Sequence, residues 1–568
     1  MPMYCMVTVR SCFVSNAGSP PAEFAPSSSH LQISPKRSPL LMAPQAYQCL
    51  RPSITSETST SLNFKHDDGI RDDGAPAHRD RAVLANLGKK QALKRNFGFI
   101  SMVGFSSTLM ATWEPLSALL QGGLLNGGPV SLVYGFILCF FGTLATCASL
   151  GEMASMSPTS GGQYHWVAQL APRKYSILLG WYTGWASVLA WLAATAAPAF
   201  LGGTLIQGLL VLNDETYIFE QWHGTLLYTA IVTSAVVVNI FGIKILPHLE
   251  SIILLLHIGL WFLLLIPMVC LAPQHKAEWV FTDFENKGGW NSNGVSWCVG
   301  LLTSAFPFTG FDGAWHMSEE IENATTVVPR AMITSIVLNG SLGFGFLIAL
   351  LFSMGDINAA LSTPTGYPII EIFYFATGSK LAATLMVSGI VLSAVTSTWG
   401  LLSAASRMTW AFCRDNGLPY SPYFAHVHST RHIPIRSILL TTAILLVLGL
   451  INIASTAAFY AITGLATVAL YSTYLVPIAL LVLRRLSGDE IPFGPWHLGR
   501  WGMPLNIFSL VYALFVSIWM FFPAFVPVTA VNMNYTSVVY GGTFIFSAVA
   551  WYAYGKSTYQ GPIKEVRE

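Results

Sequence analysis

Apolar runs of roughly twenty residues recur from position 97 to position 554, separated by short polar loops. Each run is long enough to cross about 30 Å of hydrocarbon at ~1.5 Å per residue. Only a helix satisfies its own backbone over such a length in lipid. The pattern predicts an all-α integral membrane protein with about twelve transmembrane helices. The first six spans fall at 97–121, 127–150, 175–209, 223–241, 248–271 and 295–315. The other six fall at 331–354, 380–412, 434–453, 457–483, 502–525 and 536–554. Residues 1–96 and 556–568 flank this 97–555 domain as tails.

Composition agrees. Hydrophobic residues make up 53% of the chain and charged residues 10%, where a soluble globular protein carries roughly a quarter charged. A net charge of +2 points to no nucleic-acid partner. The eight cysteines show no C-x-x-C pair, and Cys139, Cys147, Cys270 and Cys298 lie in or beside apolar runs, as core residues do.

Lysine and arginine set the orientation, since cytoplasmic loops hold them in excess. With the N-terminus inside, the inner segments carry Arg173, Lys174, Lys244, Arg330, Arg407, Arg414, Arg431, Arg436, Arg484, Arg485 and Arg500. The outer loops keep only Lys276, Lys287 and Lys380. Both termini are then cytoplasmic, and Asn534-Tyr535-Thr536 lies outside as a possible glycosylation site. The N-terminal tail is rich in Ser and Pro and reads as disordered. Its last part, Arg79 to Arg95, is basic with interspersed leucines. It reads either as a segment lying on the anionic leaflet or as a charged stop before the first helix.

Two spans break the membrane pattern. The first reads Gly104-Phe105-Ser106-Ser107-Thr108, then Thr112-Trp113-Glu114-Pro115. The sixth reads Phe306-Pro307-Phe308-Thr309-Gly310-Phe311-Asp312-Gly313. Proline removes a donor, and glycine tolerates an unwound backbone. Irregular backbone at membrane depth survives only when buried in protein or lining a cavity. Two interrupted spans in corresponding places are the pattern of an inverted-repeat transporter, the alternative being kinks used for packing. Broken ends offer backbone groups to a substrate, with the hydroxyls of Ser106, Ser107 and Thr108 beside them.

The loop Gly151-Glu152-Met153-Ala154-Ser155-Met156-Ser157-Pro158-Thr159-Ser160-Gly161-Gly162-Gln163-Tyr164 resembles the first cytoplasmic loop of the amino acid–polyamine–organocation superfamily. Glu319-Glu320-Ile321-Glu322-Asn323-Ala324, followed by Val328-Pro329-Arg330, resembles that superfamily's exit from its sixth helix. Within it, Thr112-Trp113-Glu114 and His316-Met317-Ser318-Glu319-Glu320 are most similar to the fungal amino-acid/choline transporter family. The resemblance implies a LeuT-type core of two inverted five-helix repeats plus two peripheral helices. It also implies proton-coupled uptake of choline, GABA or a related amino acid or amine at the plasma membrane.

Candidate substrate-site residues are Gly104, Phe105, Ser106, Ser107, Thr108, Glu114, Phe306, Phe308, Gly310, Phe311 and Asp312. Asp312, an acid beside a break, would pair with an amine, carry a proton or cap the second half-helix. Glu114 would complete a cation site, serve a gate or hold structure. Phe306 matches an aromatic gating position of relatives. Trp113, Trp181, Trp185 and Trp315 are further aromatics expected near the cavity, or packing residues. His257 lies mid-span in the fifth helix. It packs, or, by resemblance to a lysine of proton-coupled relatives, carries the coupling proton. Glu152, Glu319 and Glu320 are expected to pair with Arg330 or Arg407 in a cytoplasmic gate. No metal spacing, P-loop or nucleophile elbow appears, so neither a cofactor nor an enzyme is expected.

Overall fold

The computed structural model describes residues 75–454, 458–529 and 532–565. Among them there are helices and two isolated bridges, and no strand. Ten helices are long and apolar enough to cross a membrane. The first span is absent from those ten because it is fractured into Phe99–Met110 and Trp113–Ala118. The last is a shorter helix, Thr536–Ala550, continued by a π-helical turn, Trp551–Gly555. The expected twelve spans are thus all present as helical segments.

Both predicted breaks are real. Ala111 sits in the left-handed region at φ 41°, which costs a non-glycine residue roughly 1–2 kcal/mol. In the sixth span, helix gives way at Thr309, and Gly310 turns the chain at φ 99°. The breaks lie against each other. The Thr112 hydroxyl donates to the Pro307 carbonyl at 2.9 Å. A Cβ on Gly310 would stand 3.2 Å from the Leu109 carbonyl oxygen.

The fifth span, Leu246–Leu271, shows how the membrane inverts helix amphipathicity. Its buried side carries Glu250, Ile253, His257, Leu260, Leu264 and Met268, at the three- and four-residue spacing of one helix face. Its outward side carries Leu255, Leu263 and Ile266, all more than half exposed. Leucines and isoleucines face outward, while Glu250 and His257 face protein.

The N-terminal tail differs from expectation where the structure describes it. Residues 1–74 lie outside the described residues. Beyond them Ala75–Asn86 is a helix, and Leu84, Lys89 and Leu93 are buried. Leu93 packs on Trp410 and Ala411. The basic stretch before the first span is therefore docked on protein rather than spread on a leaflet. The C-terminal tail docks too: Tyr559 is buried against Trp181 and Phe412. The Glu565 amide donates to the Gly88 carbonyl at 2.6 Å, so the two tails meet. Buried partners for Lys89 and Tyr559, invisible in local composition, make the difference.

Candidate functional site

The meeting of the two breaks leaves a cavity. Its wall includes Leu109, Met110, Ala111 and Glu114 from the first span, and Phe306, Thr309 and Gly310 from the sixth. The third span contributes Ala194, Ala197, Pro198 and Leu201, and the eighth Ala394, Ser397 and Leu401. The last carbonyls of a helix have no partner within it, and Leu109, Met110 and Ala111 end the first half-span at this wall. The cavity is small, about 40 Å³, room for three or four waters at roughly 10–15 Å³ each.

Glu114 supplies the charged group of the wall. Its Oε1 is 2.7 Å from Nδ1 of His257, and both residues are buried. Its Oε2 and the His257 Nε2 have no hydrogen-bond partner. Two residues expected separately are thus one pair. The Trp113 ring lies 5.7 Å from the imidazole and closes that side.

The expected substrate residues divide. Glu114, Phe306 and Gly310 line the cavity. Gly104, Phe105, Ser106, Ser107 and Thr108 are buried in the first half-span beneath it. Thr108 reaches the fifth span, 2.8 Å from Glu250 Oε2. Phe308 faces the second span, with ring centroids 4.9 Å from Phe136. Phe311 packs at 5.6 Å on Tyr474 of the tenth span. Asp312 is fully buried, but away from the cavity wall, beside Tyr474 and Gln163. Neither of its oxygens has a hydrogen-bond partner that meets normal geometry. Trp113, Trp181, Trp185 and Trp315 also stand off the cavity wall. A break locates a residue in depth; which way it faces depends on helix rotation.

Acids expected at a gate do form buried ion pairs at the end where the tails dock. Glu319 takes both guanidinium nitrogens of Arg414 at 3.0 Å and the Ser160 amide at 3.1 Å. Glu320 pairs with Arg407 at 2.8 Å, as one of the two expected partners. Glu152 pairs with Arg485 at 2.7 Å. Arg330 is exposed and joins none of these pairs, contrary to expectation. It stands on the outward side of the seventh span, whereas Arg407 and Arg414 lie on the buried side of the eighth.

The hub of that end is Asp415, which sequence reasoning missed. It accepts from Lys89 at 2.7 Å, His165 at 2.7 Å, Tyr164 at 2.8 Å and the Ile563 amide at 3.0 Å. Burial by itself would push its carboxyl up; His165, Lys89 and Arg414 outweigh that and hold it well below the usual carboxylate range. Asn534, the expected glycosylation site, donates its side-chain nitrogen to Met520 and Phe522 carbonyls at 2.8 and 2.9 Å.

Known proteins resemble this chain over nearly all of that architecture. The family model described as amino acid permease matches residues 97–544. A protein of Macrophomina phaseolina named as an amino acid/polyamine transporter is 36% identical, over 77% of this chain and 97% of that protein. The choline transporter of Saccharomyces cerevisiae is 31% identical, over 82% of this chain and 83% of its own. Amino-acid permease BAT1 of Arabidopsis thaliana is 30% identical, over 85% of this chain and 96% of its own. With its fractured spans, central cavity and this match, the chain belongs to the amino acid permease family of the amino acid–polyamine–organocation superfamily, as a multi-pass membrane transporter and not an enzyme.

Proposed function

We propose that the chain imports choline, GABA or a related amino acid or amine together with protons, by alternating access, across the plasma membrane with both termini cytoplasmic. The observation that carries this reading is the Glu114 carboxylate at the cavity formed by the two breaks, with Oε2 free. An amine in an apolar cavity needs a counter-charge. Glu114, rather than Asp312, takes that role, with the carbonyls that end the first half-span beside it. Phe306 offers a ring face to a quaternary ammonium, which donates no hydrogen bond. Choline, named for one relative, is a quaternary ammonium, and the amino acids named for another carry a primary ammonium.

Coupling runs through the shared carboxylate. A proton on His257 holds Glu114 ionised and oriented through Oε1, while the substrate cation takes Oε2. Loss of that proton weakens the bond that orients the carboxylate, so Oε2 turns from the substrate and release follows. The fractured first and sixth spans act as corresponding members of two five-helix repeats, rocking around the cavity. The ion pairs of Glu152, Glu319 and Glu320 and the Asp415 hub form the cytoplasmic gate, closed in this conformation.

The test is uptake of radiolabelled choline, GABA and amino acids by cells expressing the chain, across a pH series. Accumulation above the external concentration that rises as external pH falls supports the reading. Equilibration without concentration would make the chain a facilitator. Binding or signalling without uptake would make it a sensor and end the transport proposal.

A further inference from the structure

Beneath the cavity, the fifth span presents a second titratable group to the first span, seven residues before His257. Glu250 is fully buried. The contact around it is close. A Cβ on Gly104 would stand 2.7 Å from the Glu250 carbonyl oxygen, and one on Gly400 of the eighth span would stand 3.3 Å from its Oε1. Two glycines thus let three spans converge on one residue, Gly104 at its backbone and Gly400 at its carboxyl group. Its Oε1 has no partner, and its Oε2 has one neighbour, the Thr108 hydroxyl at 2.8 Å.

That hydroxyl decides where a proton sits. The same Thr108 oxygen is 3.1 Å from the Phe105 carbonyl. A threonine has a single hydrogen to donate. If Glu250 is ionised, both neighbours are acceptors and one contact goes unmade. If Glu250 carries a proton on Oε2, it donates to Thr108, which donates to Phe105, and the chain of bonds is complete. Charge points the same way. The elements packed on the fifth span are the first, seventh and eighth spans and the helix Pro368–Thr377. Their ionisable groups are engaged or distant: Glu114 with His257, Arg407 with Glu320, Arg414 with Glu319, and Arg330 exposed. Among the described residues Glu250 forms no ion pair with these or with Glu371, Lys380 or His248. A buried carboxylate without a cation is costly, whereas the neutral acid needs only the hydrogen bond it has here.

We propose that Glu250 is a proton-binding site of this transporter, occupied in the closed conformation through Thr108 and emptied when the first half-span swings away. In the release step the Oε2–H bond breaks, its electron pair stays on the carboxylate, and the proton passes to a water entering the opened gap. Reclosure requires a proton to be taken up again. The site is separate from the His257–Glu114 pair, and its place in a coupled cycle rests on the proposed proton-driven transport.

The experiment uses the full chain in lipid. Infrared difference spectra across a pH titration read the protonated-carboxyl stretch directly, with no substrate. The wild-type spectrum should contain one carboxyl band that Glu250→Gln lacks and whose midpoint Thr108→Val moves, while Thr108→Ser restores it. Identical bands in wild type and Glu250→Gln would overturn the proposal, as would a midpoint indifferent to Thr108→Val. In proteoliposomes with choline, Glu250→Gln should keep exchange of internal for external choline, which also shows that it is folded, but lose accumulation driven by a pH gradient. If wild type accumulates no choline, GABA or amino acid under any gradient, the proton-coupled reading fails while the infrared result still decides Glu250. Should Glu250→Gln fail to exchange, the Thr108 variants carry the decision.

Discussion

Removing one partner of the Glu319–Arg414 pair should open the tail-docked end of the bundle. Glu319 is fully exchanged out of solvent, and Arg414 is nearly so, with side-chain exposures of 0% and 6%. In Glu319→Leu the guanidinium keeps its stacking on Trp410, at 4.5 Å, but loses both carboxylate bonds. Breaking a buried pair this way costs about 3–5 kcal/mol, and the whole cost falls on the closed conformation. At ~1.4 kcal/mol per decade, the closed-to-open ratio should fall by roughly 10²- to 10⁴-fold. The molecule carries its own reporter, since Cys413 is a buried free thiol one residue from Arg414. Its labelling by a maleimide, followed by mass spectrometry, should rise with the open population. The double variant Glu319→Leu with Arg414→Met leaves no unpaired charge and should recover much of the protection. Equal labelling of wild type and Glu319→Leu, at equal surface expression, would refute the gate. A double variant as labile as the single would refute the electrostatic account of it.

Glu114→Gln should weaken equilibrium binding of choline by about 10- to 100-fold, the worth of a charge-assisted bond of ~1.5–3 kcal/mol; unchanged affinity would return the amine site to Asp312. His257→Ala should weaken choline binding and remove its pH dependence, and a normal pH series in that variant would remove His257 from coupling. Gly310→Ala should lower thermal stability in detergent by about 1–2 kcal/mol or more, because its φ of 99° suits glycine and the new Cβ would crowd the Leu109 carbonyl. A carboxyl held low stabilises above its unfolded value and loses that contribution only as pH falls through its folded value. The stability gap between wild type and Asp415→Asn should therefore stay constant from pH 8 to pH 5, measured by parallel melts, and narrow only in stronger acid.

The spans were legible because lipid demands length and apolarity from each helix separately. The breaks were legible because proline and glycine at Pro307 and Gly310 violate that demand locally. What local pattern does not carry is rotation and partner. Asp312 and Phe308 lie at the right depth and face the scaffold. Glu250 passed unnoticed because it stands near the start of an apolar run, where an acid reads as an end rather than a site. Arg414 and Asp415, at the close of the eighth span, read as one more basic loop. Their partners come from positions up to 326 residues away, and only the folded chain brings them together. Glu114 and His257, 143 residues apart, were each visible but not as a pair.

The Asp415 hub also bears on biogenesis. Its bond from Ile563 spans 148 residues of sequence, and four further spans are synthesised in between. A nascent chain that has just inserted its eighth span holds an acid whose partner set is incomplete. Lys89, His165 and Tyr164 are already present, while the backbone donor arrives last. Docking of the segment at Tyr559 to Glu565 can therefore complete the Asp415 partner set only after the ninth to twelfth spans have been made.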